Sequence, residues 1–130
     1  MTDVAARNRR NRRRGSNWEA ELRDGLRAHK ADIERLRLTG AEDEGDHVVR
    51  RPAPVRHRPF VVIEAKNAKL EPAQFIAEAL RERDAFARRR GLDPADVDAI
   101  VAVRRRGASW RRAYVLTTVE EYFDLPPEAA

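Results

Sequence analysis

Apolar residues recur along the chain in blocks whose period changes from about four to two and back. Trp18, Leu22 and Leu26 stand one helical turn apart and predict a helix running to about Lys30. Its start is expected after Gly15, with Ser16 as N-cap and Ser16-Asn17-Trp18-Glu19 as a capping box. Ile33 to Leu38 fits either a helix continuation or an edge strand, and strand is preferred, ending at Thr39-Gly40. Asp46 to Arg50 reads as a short strand, whereas Arg51 to Pro59 holds three prolines and is expected to be loop. Phe60-Val61-Val62-Ile63 is apolar on both faces until it reaches Glu64 and Lys66, the pattern of a buried strand. Phe75, Ile76, Ala79, Leu80 and Phe86 mark one face of a helix from about Pro72 to Arg90, closed by Gly91. Asp98 to Arg104 and Ala113 to Thr117 read as strands around a turn at Gly107, and Val119 to Phe123 as a short helix. The order α, β-β-β, α, β-β, α predicts an α/β fold, a mixed sheet flanked by helices.

Composition narrows this picture. The 130 residues suit one domain. It is expected at 15–125, with a disordered basic arm at 1–14 and a short tail at 126–130. No run approaches the ~18 apolar residues of a membrane span, and the basic, polar start is unlike a secretory signal. There is no cysteine, which excludes disulfides, thiolate zinc sites and a cysteine nucleophile, and an intracellular, cytoplasmic setting is expected. His29, His47 and His57 form no metal-ligand spacing and are expected to face solvent, which disfavours an HNH-type nuclease.

The net charge of +5 favours an anionic polymer as partner, and its distribution favours it more. Residues 7–14 read RNRRNRRR, and Arg104-Arg105-Arg106 and Arg111-Arg112 flank the Gly107 turn. The basic run has no aromatic or aliphatic residue to insert into a membrane. Against these stands an acidic knot, Glu42-Asp43-Glu44 with Asp46. Carboxylates for a cation beside arginines for strands is the distribution a metal-dependent phosphodiesterase needs.

Glu64 and Lys66, two apart on a strand, project to one side, with Ala65 turned to the other. An acid and an amine there can be a plain ion pair where a strand surfaces. Asp46 opens the preceding strand, so a hairpin can bring its carboxylate beside Glu64, and two carboxylates with waters suit Mg²⁺. Lys30, Lys66 and Lys69 are the only lysines in a chain with 27 Lys and Arg, so Lys66 stands where nearly every other cation is Arg. Lys is a compact point charge whose pKa can shift, and Arg is not.

Glu19, then Gly45-Asp46, then Glu64-Ala65-Lys66 resembles the pattern of PD-(D/E)XK nucleases. Arg14-Gly15-Ser16-Asn17-Trp18-Glu19 before a helix resembles the opening of archaeal-type Holliday junction resolvases. Glu42-Asp43-Glu44-Gly45-Asp46 and Ile63-Glu64-Ala65-Lys66-Asn67 resemble the related resolvases of actinobacterial phages. The resemblance spans about residues 13–123; Gly45 replaces the usual proline, and the stretch between Asp46 and Glu64 is longer than in the archaeal members. It implies a restriction-endonuclease-like fold, a bacterial or phage source, and a homodimer that nicks four-way DNA junctions in opposite strands. It implies that Asp46, Glu64 and the carbonyl of Ala65 ligate Mg²⁺, with Mn²⁺ able to substitute, and that Glu19 reaches a second metal or an outer water. Lys66 would orient the attacking water and steady charge on the phosphate, and Gln74 would be a polar helper. Arg12, Arg13, Arg14, Lys69, Arg104, Arg105, Arg106, Arg111 and Arg112 are the expected DNA contacts.

Several of these residues have rivals. Glu21 competes with Glu19, which a capping box would also explain; Asp43 and Glu44 compete with Asp46; Trp18 and Trp110 are read as packing residues. Other PD-(D/E)XK nucleases (RecB-like exonuclease, repair or restriction-type) and a non-enzymatic DNA-binding protein stay open.

Overall fold

Strand β3 organises the molecule. The structure, a computed structural model, describes residues 2–29, 32–35, 46–55, 58–126 and 128. Helix α1 (Thr2–Ala28) precedes strands β1 (Asp32–Arg35), β2 (His47–Val55) and β3 (Arg58–Lys66). Helix α2 (Pro72–Arg90) leads to β4 (Val97–Val103), β5 (Tyr114–Leu116) and a short helix α3 (Val119–Tyr122). The described strands form one five-stranded mixed sheet in the order β1-β2-β3-β4-β5. β3 pairs antiparallel with β2 and parallel with β4, while the β1–β2 and β4–β5 pairs are antiparallel.

Alternation along β3 sends its side chains to two layers. Val61 and Ile63 pack with Trp18 and Leu22 of α1 and with Ala102. Val62 packs with Phe86 and Ala87 of α2, and Val101 and Val103 of β4 pack with Phe75 and Ala79 of the same helix. Trp18 is almost wholly buried, and its Nε1 donates to the carbonyl oxygen of Ala102 at 3.2 Å. Both tryptophans pack, as expected. Trp110 lies over Gly25, where an added Cβ would overlap the indole, and its ring meets that of His29 at 5.7 Å.

The bounds of α2 are those expected, and Gly91 caps it in the left-handed conformation at φ 65°. Two elements and one buried residue differ from expectation. The first is α1, which does not start at a Ser16 cap: its backbone is helical from Thr2 through the whole basic run, including the stretch expected to be a disordered arm. Arginine is a good helix former, and these turns only extend a helix already anchored by Trp18 and Leu22.

The second is β2, which continues through Pro52 and Pro54, in the stretch expected to be loop. β1 pairs with β2 only from His47 to Arg50, so beyond Arg50 one side of β2 lacks a partner strand among the described residues. A missing N–H is tolerated on such an edge, and the β2–β3 register shifts there. The third is His47, which is fully buried although expected in solvent. It stands opposite Ile63, on the side of the sheet that α1 covers, and its Nε2 lies 3.1 Å from the carbonyl oxygen of Glu19. Thr39-Gly40, the knot Glu42-Asp43-Glu44 and His57 lie outside the described residues, as do the side chains of Arg12, Arg13 and Arg14.

The far end of β3 is tied by charge. Arg58 is buried, with Nη1 2.5 Å from Glu121 Oε2, Nη2 2.7 Å from Asp124 Oδ1, and Nη1 3.6 Å from the fully buried Asp98. Arg83 of α2 adds a second contact to Glu121 at 3.2 Å. Burial works against the charge on Glu121, but the Arg58 and Arg83 guanidiniums outweigh it and hold its carboxyl below the usual range.

Candidate metal centre

The hairpin register builds the site. His47 pairs with Ile63, so Asp46 falls opposite Glu64, and the backbone amide of Asp46 donates to the Ile63 carbonyl at 3.1 Å. Asp46 Oδ2 in turn accepts from the amide of Ala65 at 2.8 Å. Residues two apart on a strand turn their peptide groups to the same side, so the Ala65 carbonyl faces the β2 side of β3, as the Ile63 carbonyl does. Glu19 of α1 lies near enough to Asp46 to act on its charge. The helix is fixed at this point from two directions, by the buried Trp18 and by His47 beneath the Glu19 carbonyl.

Glu64 and Glu19 therefore both act on Asp46 at this end of the sheet, while the carboxylates that come within ligand reach of one another among the described residues are Glu64, Glu78 and Glu82. Asp46 registers the consequence: burial, then the charge of Glu64, then Glu19, push its pKa up to about 8, against the lowering effect of the Ala65 amide. Carboxylates that repel one another in a half-buried pocket are a donor set a hard dication would relieve. Glu19, Asp46, Glu64 and the Ala65 carbonyl fit Mg²⁺ by donor type, all of them oxygen. Of the rival acids, Glu21 is exposed.

Lys66 stands on the α2 side of this group. Its Nζ lies 2.9 Å from Glu78 Oε2, 3.5 Å from Glu64 Oε1 and 5.3 Å from the centre of the Phe75 ring. Burial disfavours the ammonium, yet Glu78 and Glu64 more than compensate and raise its pKa above the ordinary lysine value. The ammonium form of Lys66 is thus favoured here.

Glu78 and Glu82 are additions that sequence reasoning missed. Carboxylate oxygens of Glu64, Glu78 and Glu82 lie within 4.8 Å of one another, a grouping able to hold a metal ion, and Glu64 and Glu82 are buried. The signal was available: Glu82 falls in phase with Phe75, Ala79 and Phe86 on the buried face of α2. Gln74, expected as a polar helper, is exposed at the helix start.

The basic residues sort by position. β3 and β4 run parallel, so both end here: Lys66 pairs with Val103, and the amide of Arg104 donates to the Lys66 carbonyl at 2.9 Å. The arginine loop after β4 therefore leaves from the same end of the sheet. Arg104, Arg106, Arg111 and Arg112 are exposed, as is Lys69. Arg105 is committed within the loop, its guanidinium 4.8 Å from the centre of the Tyr114 ring and 3.3 Å from the Arg112 carbonyl. Arg7, Arg9 and Arg10 are exposed on α1 before Trp18.

In comparisons with known proteins, no family model matches the chain, and no curated protein or solved structure resembles it significantly. Among the described residues no helix is long and apolar enough to cross a membrane.

Proposed function

We propose that the chain is a Mg²⁺-dependent DNA endonuclease of the PD-(D/E)XK type with a restriction-endonuclease-like fold, and within that class a Holliday junction resolvase. The observation that carries the reading is that Glu19 and Glu64 both act on Asp46 at one sheet end, with the ammonium of Lys66 beside Glu64. A mixed sheet whose antiparallel hairpin delivers Asp46 and Glu64, with helices on both faces, supports the fold likeness.

Mg²⁺ held by Asp46, Glu64 and the Ala65 carbonyl, with Glu19 at the margin, would polarise the phosphate and acidify the attacking water. The chain's own residues do the rest. Lys66 would steady negative charge as the water oxygen bonds to phosphorus, its proton passing to solvent, and the phosphate–sugar bond opposite it breaks, the leaving oxygen taking a proton from solvent. Arg104, Arg106, Arg111, Arg112 and Lys69 hold phosphates on either side of the reacting one, a grip that positions without reading sequence. Opposed nicks in a four-way junction call for two such sites, which a twofold dimer supplies.

The test is cleavage of a labelled four-way junction, a linear duplex and a single strand, in Mg²⁺ or EDTA, by wild type, Glu64→Ala and Lys66→Ala. Symmetric nicking of the junction in Mg²⁺ alone, and binding without cleavage by both variants, is expected. Equal cutting of the linear duplex would leave a nuclease of another kind and remove the junction. Binding without cleavage under any divalent metal would remove the nuclease and leave a DNA-binding protein.

A further inference from the structure

We propose that Glu78 is a positioning residue for Lys66, the anchor that keeps its ammonium beside the site when the charge of Glu64 is engaged by a cation. The proposal rests on the metal-dependent reading above.

The geometry separates two roles for two carboxylates. Glu64 is buried on β3 and acts on Asp46; Glu78 is half-buried, comes from α2 and is the nearer of the two to the Lys66 ammonium. The Lys66 ammonium sits between them, closer to Glu78 at 2.9 Å than to Glu64 at 3.5 Å, with the Phe75 ring as a third wall. The turn of α2 that carries Glu78 is anchored in the core by Phe75 and Ala79.

A dication on Asp46 and Glu64 changes the balance. The charge of Glu64 is then shared with the metal, and the metal repels the ammonium. Lysine's flexible four-carbon stem leaves it free to answer by swinging outward, because the Lys66 side chain is still 22 % exposed. With a cation on Asp46 and Glu64, the carboxylate that remains against Lys66 is Glu78, at 2.9 Å; because Glu78 also lies within 4.8 Å of Glu64 and Glu82, Mg²⁺ binding by Glu78→Gln separates an anchor of Lys66 from a further ligand. Without Glu78, Lys66 would pair with Glu64 alone in the metal-free protein and leave when metal arrives, the moment at which its charge is needed.

The sparse lysine content makes this directly observable. With only Lys30, Lys66 and Lys69 in the chain, ¹³Cε-lysine labelling of the full-length protein yields three side-chain signals, assigned by Lys→Arg variants. Wild type, Glu78→Gln and Glu78→Asp are titrated with Mg²⁺ alone. Expected are a Lys66 signal that stays restrained in wild type with and without Mg²⁺, and one that averages toward a free lysine in Glu78→Gln only once Mg²⁺ is present. Glu78→Asp should restore part of the restraint. In cleavage assays Glu78→Gln should lower kcat roughly 10–100-fold, as is typical of residues that orient a metal site's working groups, while KM stays near wild type.

A Lys66 signal in Glu78→Gln that is indifferent to Mg²⁺ while the protein still binds the ion would overturn the proposal. So would loss of Mg²⁺ binding itself in Glu78→Gln, which would make Glu78 a ligand. Wild type that neither binds Mg²⁺ nor cleaves would overturn the metal-dependent reading and this proposal with it. Wild type that binds Mg²⁺ without cleaving removes only the nuclease, and the Lys66 signal still decides the role of Glu78.

Discussion

The Asp46 carboxylate accepts the amide proton of Ala65 at 2.8 Å, so the acid that opens β2 is tied to the strand that carries Glu64. One hydrogen bond thereby fixes the separation of two like charges that would otherwise move apart. The cost of that arrangement is electrostatic, and it should be visible as a pH dependence.

Because the folded-state pKa of Asp46 is raised from 3.8 to about 8, the folded protein holds a proton that the unfolded chain gives up. Its contribution to stability is fully present below about pH 4 and is lost as pH rises through about 8. Metal-free protein should lose thermal stability across that window. Asp46→Asn should flatten the profile, and Mg²⁺ binding near neutral pH should release protons. Thermal unfolding from pH 5 to 9 with EDTA, with calorimetry in buffers of different ionisation enthalpy, tests both; a flat wild-type profile would refute it.

At the other end of β3 the sign reverses. The Glu121 carboxyl is held below its usual 4.5, so its stabilisation is present above that value and is lost as pH falls through the lower folded-state value. Arg58→Ala, which removes the guanidinium beside the fully buried Asp98 and the partner of Glu121 and Asp124, should cost about 3–5 kcal/mol. Glu121→Gln should cost less, because Asp124 still holds Arg58 at 2.7 Å. Urea unfolding at pH 7 and pH 3.5 should show the gap between wild type and Glu121→Gln closing at the lower pH.

Gly25→Ala introduces a methyl group where the indole of Trp110 already lies. Overpacking of that kind typically costs about 1–3 kcal/mol. The variant should unfold at lower urea, with altered Trp110 fluorescence, and Gly25→Ala with Trp110→Ala should lose less than the two single changes summed.

Exposed arginines at the end of β4 should contribute affinity and salt dependence together. A guanidinium that neutralises a phosphate displaces a counterion, so Arg104→Ala, Arg106→Ala, Arg111→Ala and Arg112→Ala should each lower the slope of log affinity against log salt by about 0.9 on duplex DNA. Arg105→Ala should act differently, since its guanidinium is engaged with Tyr114: loop order should suffer first. Fluorescence anisotropy between low and moderate salt distinguishes them, and unchanged slopes would argue that the loop does not meet DNA.

How far the sequence could be read depended on how local each signal was. α2 announced itself because Pro72 starts it, Gly91 stops it and the apolar period between them is nearly unbroken. The neighbourhood of Asp46 and Glu64 followed from a hairpin, the shortest-range tertiary contact a chain can make. Arg58 escaped notice because its partners Glu121 and Asp124 lie 63 and 66 residues away, and nothing near Arg58 marks it for burial. Glu78 and Glu82 were passed over because carboxylates on a charged helix usually face water; only the phase of Glu82 with Phe75 and Phe86 argued otherwise. Pro52 and Pro54 misled because their suitability for a strand depends on how far β1 extends, which is a property of the sheet and not of the prolines.

The parallel pairing that sets Lys66 beside Val103 gives the molecule a division of labour. The strands aim the carboxylates, and the loop leaving beside them through Arg104 carries cations without helping to aim anything. Lengthening the turn at Gly107, or trading its arginines, would change the charge and reach of that loop while the strands that hold Asp46 and Glu64 stay as they are. On the function proposed above, a lineage needing to meet a differently shaped nucleic acid would have this loop to vary first, with the acidic end of the hairpin left untouched.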